Sequence, residues 1–154
     1  MECGPDGSRP GADFQPVGLV GINRSRNMSE IEQILNSGTS SRLGEERVVS
    51  ESDVARLVAA VRCAVPPSYL EFLRLGGLAE LRFHNRVLSP VEIVDTLGQL
   101  PSQCIPFADN GCGDVFCWER SEQVEPAVIL WEHDSGKLAP NAANFVDWLR
   151  QNRF

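Results

Sequence analysis

Lysine is almost missing from this chain: of 154 residues only Lys137 is one, and arginine supplies the rest of its 14 cationic side chains. Against 21 Asp and Glu these leave a formal charge of −7. A duplex-binding protein gains affinity by replacing phosphate counterions with clustered Lys and Arg. No such cluster is present, which argues against nucleic acid as a partner. No apolar run approaches the roughly 18 residues needed to span a bilayer, so no membrane insertion is expected. The opening residues Met1 to Gly7 have neither a basic stretch nor an apolar one, so no secretory signal is expected and the cytosol is the expected compartment.

Other absences narrow the chemistry. The five cysteines (Cys3, Cys63, Cys104, Cys112 and Cys117) are odd in number and form no C-x-x-C pair. Neither a disulfide framework nor a zinc ribbon follows. Cys104, Cys112, Cys117 and His133 could be drawn as a zinc set. A strand over 114–119 would fix Cys117 on one face and leave Cys112 in a turn, so four-fold convergence is not expected. Asp109 and Asp114 flank Cys112 with negative charge, which blunts a thiol nucleophile. Gly111-x-Gly113 lacks a third glycine and opens no helix, and no phosphate-binding G-x-x-x-x-G-K-[ST] occurs. No internal repeat is visible. The expectation is no cofactor, no metal and no catalytic residue.

What is present is one domain's worth of periodic sequence. Residues 1–26 are rich in Gly, Pro, Asp and Ser and read as a poorly ordered leader, with a weak strand signal at Val17–Ile22. Residues 27–154 read as a single domain. Ser29 caps a first helix with Met28, Ile31, Ile34 and Leu35 on its apolar stripe. Ser50 or Ser52 starts a second, carrying Val54, Leu57, Val58 and Val61. Pro67 opens a third through Tyr69, Phe72 and Leu73, and Gly76-Gly77 stops it. The period then changes. Leu81–His84 and Arg86–Leu88 read as short strands about Asn85, and Ser89-Pro90 starts a fourth helix. Strands are expected at Cys104–Ala108 and Asp114–Glu119 around the turn at Asn110-Gly111. Another is expected at Ala127–His133, ending in a turn at Asp134–Lys137. Asn141 or Asn144 caps a closing helix with Phe145, Val146, Trp148 and Leu149 inward. The expected class is α+β: N-terminal helices, a mostly antiparallel sheet and a closing C-terminal helix.

Four stretches, in order, resemble one family. Val65-Pro66-Pro67-Ser68-Tyr69-Leu70-Glu71-Phe72-Leu73 running into Gly76-Gly77 is similar to the opening of the SUKH superfamily. Ile105 to Asp114 resembles its central strand and glycine turn. Val128 to Asp134 resembles its later strand with an acidic-histidine end, and Ala142 to Leu149 its final helix. The resemblance covers roughly residues 40 to 150. Val65 stands where the family usually has leucine. Such a resemblance implies a binding domain without a catalytic apparatus, most often a bacterial immunity protein that binds a cognate toxin such as a nuclease. Other members are implied to be regulatory or scaffolding modules.

The residues themselves offer one concentrated surface. Paired carboxylates near His133 could in principle serve acid–base chemistry or a metal, but Asp at hairpin ends has a simpler role in bonding turn amides. Residues 101–154 hold eight Asp and Glu against four Lys and Arg. Asp109, Asp114, Glu119, Glu122, Glu132 and Asp134 are therefore the expected contacts to a basic protein partner, with Trp118 as a candidate aromatic anchor. The free chain is expected to be a monomer. A small metal-dependent or thiol enzyme is the alternative from another class.

Overall fold

The computed structural model describes residues 28–37, 49–79 and 84–153. The leader, its Val17–Ile22 strand signal and all but the last residue of the strand expected at Leu81–His84 lie outside these residues. Three helices come first. α1 (Glu30–Asn36) is capped by the Ser29 hydroxyl, which accepts from Glu32 N. α2 (Glu51–Val61) is capped in the same way by Ser50. α3 (Pro67–Arg74) has Pro67 in its first turn and no side-chain cap from Pro66. Gly76, at φ +74°, supplies the left-handed residue that follows it.

β1 (Arg86–Val87) is short and pairs with β2 (Cys104–Asp109). Between them lies α4 (Pro90–Thr96), opened by a full capping box in which Ser89 and Glu92 bond each other's backbone N–H. β3 (Val115–Glu119), β4 (Val128–Trp131) and β5 (Leu138–Ala142) complete an antiparallel sheet in the order β1-β2-β3-β4-β5. α5 (Phe145–Asn152), capped by Asn144, closes the domain. The class is the expected α+β.

One strand of the sheet departs from the sequence pattern. β5 was not expected, because Leu-Ala-Pro-Asn-Ala has no β-branched residue and contains a proline. It is the outer strand of the described sheet, and its register slips beside Pro140: Ala142 faces Val128 and Pro140 faces Ile129, leaving Asn141 as the extra residue. A second register slip falls between Pro106 and Ala108 on β2, where the proline is expected to mark an edge or bulge position.

The core lies between one sheet face and the helices. Strand alternation turns Phe116 and Trp118 to that face, where Phe107 stacks on Trp118 at 4.9 Å between ring centres. Tyr69 of α3 meets Trp118 edge-on at 4.9 Å, and Trp148 of α5 meets Phe107 the same way. Edge-to-face and offset rings let the π quadrupoles pair favourably, so this aromatic layer adds directional preference to hydrophobic burial. The Tyr69 hydroxyl donates to the Leu88 carbonyl at 2.7 Å. Burial, helped by the Glu92 carboxylate, pushes that phenol far up, so it stays a neutral donor.

Candidate functional site

An antiparallel sheet puts successive hairpin turns at opposite ends. The β2–β3 turn (110–114) and the β4–β5 turn (132–137) therefore share one end, here termed the turn end. The β3–β4 loop (120–127) lies at the other. A five-residue strand spans about 13 Å between them at roughly 3.3 Å per residue. The seven expected contact residues consequently do not form one face. Asp109, Asp114, Glu132 and Asp134 gather at the turn end. Glu119 and Glu122, both exposed, belong to the far end. Trp118 is 0% exposed and sits in the aromatic layer, so it is not an anchor for a partner.

The β2–β3 turn is built by its own side chains. Asp109 accepts from Gly111 N at 3.1 Å, and the Asn110 side-chain carbonyl accepts from Cys112 N and Asp114 N. The Asn110 amide donates to Asp114 at 3.0 Å. Gly111 and Gly113 have φ of +73° and +108°, the left-handed geometry that favours glycine. Gly113 has a further reason: a Cβ there would lie 2.8 Å from the His133 ring. The β4–β5 turn is closed by Gly136 N donating to the Glu132 carbonyl and by the Ser135 hydroxyl donating to the Glu132 carboxylate.

Arg86 and His133 moderate this acidity, and no local sequence signal joins Arg86 to Asp109 or His133 to Asp114. Strand register sets Arg86 opposite Asp109, and its guanidinium bridges Asp109 at 2.7 Å and Glu92 at 2.5 Å. Burial raises the Glu92 carboxyl, but bonds from Ser89 and Arg86 outweigh it and hold the group below its ordinary range. His133 joins the two turns. Its Nδ1 lies 2.9 Å from Asp114 and its Nε2 2.9 Å from Asp134, while its backbone N–H also donates to Asp114 at 3.1 Å. The bond to Asp114 raises the imidazole above its usual value, against a smaller opposing effect of burial and with help from the Asp134 charge. The same bond lowers Asp114. Asp134 is the most open of these carboxylates, its side chain 90% exposed.

The far end uses charge differently. The Glu125 carboxylate accepts from Ser68 N at 2.9 Å and Ser68 Oγ at 2.6 Å, capping α3 from 57 residues away. Arg120 donates to the Ser102 carbonyl at 2.8 Å and to the Val61 carbonyl at the end of α2. Cys104 and Cys117 are buried side by side, diagonal across β2 and β3, and burial pushes both thiols up. Cys112 stands apart in the exposed turn. Among the described residues no group of three or more His, Cys, Asp or Glu converges to hold a metal ion. No helix among them is long and apolar enough to cross a membrane.

Helices packed on an antiparallel sheet, with an aromatic core between them and polar hairpin turns at one end, define an α+β domain. The sequence model of the SMI1 / KNR4 family (SUKH-1) matches residues 48–151. The chain belongs to that family, whose members are in general non-enzymatic interaction or immunity domains. No curated protein and no solved structure is significantly similar to it.

Proposed function

We propose that this chain is an immunity protein that binds a cognate toxin through the turn end of its sheet and neutralises it. Family membership supports a protein partner. The gathering of Asp109, Asp114, Glu132 and Asp134 on two adjoining turns is the observation that carries the choice of face. A toxin that handles nucleic acid needs a cationic groove for phosphate, and a carboxylate cluster is complementary to that groove. Inhibition on this reading is occlusion: the turn end covers the groove and no covalent bond changes. Asp134 and Glu132 supply the outward charge, while Asp109 and Asp114 shape the turn beneath them. The chain acts as a monomer, in the cytosol, on a toxin made in the same cell.

The test is co-purification with the product of the neighbouring reading frame, followed by binding kinetics. Changing Glu132 and Asp134 together to Lys is expected to slow association and flatten its salt dependence, with the fold unchanged. Unaltered association and salt response would reject the turn end as the contact.

A further inference from the structure

His133 lies beside two carboxylates. Its Nδ1 is hydrogen-bonded to Asp114 at 2.9 Å, and its Nε2 lies 2.9 Å from Asp134, an ion pair when the ring is charged. An imidazolium is attracted to both carboxylates, whereas a neutral ring keeps only the Nδ1–H bond to Asp114. The ring lies against the backbone of Gly113, where any larger residue would displace it. Other charges nearby are engaged elsewhere: Glu132 accepts from Ser135, and Asp109 is held by Arg86.

The two carboxylates are not equally bound. Asp114 Oδ1 also accepts from the His133 backbone N–H, and Asp114 Oδ2 accepts from Asn110. Asp134 is 90% exposed and hinges on the loop tip. When the imidazolium loses a proton, the Nδ1–H bond to the anchored Asp114 is the one that persists. The ionic attraction between the ring and Asp134 is then lost.

We propose that His133 is a pH-operated latch on Asp134: protonated, it ties Asp134 to the β2–β3 turn, and deprotonated, it frees that carboxylate for a cationic partner. The proposal rests on the turn end being the contact face and adds how that face is regulated. Deprotonation makes the turn end one charge more negative and leaves its most exposed acid unpaired. Attraction for a basic partner therefore rises with pH through the His133 midpoint and weakens in acid.

The latch can be tested on the full chain without any partner. An NMR titration from pH 5 to 9 follows the His133 ring and the Asp134 carboxyl carbon together. The expected result is a His133 midpoint above the ordinary value of about 6.5. A second inflection of the Asp134 carboxyl carbon is expected at that same midpoint, and it disappears in His133→Gln. Asp114→Asn should move the His133 midpoint down. A His133 midpoint at or below the ordinary value would overturn the proposal, as would an Asp134 carbon that does not respond there. Neither readout involves binding, so failure here is separate from failure of the Glu132 and Asp134 charge reversals.

Discussion

At the far end of the sheet, Glu125 and Arg120 reach across to helix termini: one caps the start of α3, the other bonds the last carbonyl of α2. At the turn end, His133 bonds Asp114 from one turn to the other and pairs with its neighbour Asp134. The first arrangement satisfies backbone groups that a helix leaves unpaired, so its loss is felt by the fold. The second bonds side chains that water could serve nearly as well. Similar residues thus carry structure at one end and are left available at the other. Exposure alone would not have separated the two roles; the partner atoms do.

Between the two ends lies the aromatic layer, and the largest effect is expected there. Trp118→Ala should cost about 3–5 kcal/mol, since it removes a fully buried indole stacked on Phe107 and met edge-on by Tyr69. Chemical denaturation measures it. A cost near zero would contradict the burial that removes Trp118 from the contact surface. At the far end, Glu125→Ala should lose about 1–2 kcal/mol, the range for a helix N-cap, and leave partner association unchanged. If it slowed association without a stability loss, the division between the ends would fail.

The smallest effect belongs to the turn end and has a pH signature. The raised His133 contributes stability fully below its unfolded value and loses it as pH rises through its folded one. The lowered Asp114 contributes above its unfolded value and loses it as pH falls. The stability difference between the native chain and His133→Gln should therefore be widest between about pH 4 and 6.5, and narrow on both sides. Thermal melts across pH 3 to 9 would show it. A difference that grows steadily with pH would mean that the pairing with Asp114 is not its source.

Much of the fold was legible because its punctuation is local. Ser89 caps the helix it was expected to start, Pro67 sits in the first turn it was expected to open, and Ser29, Ser50 and Asn144 are the caps where the sequence left Asn27, Ser52 and Asn141 as alternatives. Asn110-Gly111 marks the hairpin between β2 and β3. The strand β5 escaped because its residues have little preference for extended structure; pairing with β4 holds it. The candidate site was legible in composition and not in placement. Charge counted along the sequence cannot show that Glu119 and Asp114 point out of opposite ends of one strand. Nor does any local pattern join Arg86 to Asp109, His133 to Asp114, or Glu125 to Ser68, because strand register and helix packing create those pairs.

Pro140 has a consequence beyond its slipped register. A sheet grows when a foreign strand finds a matching row of amide donors and carbonyls along an outer edge. On β5 that row is broken by a residue with no N–H, next to an extra one, Asn141, that bends the backbone. A second copy of the chain arriving there meets a poor template, so stacking strand on strand into fibres is disfavoured even at high concentration.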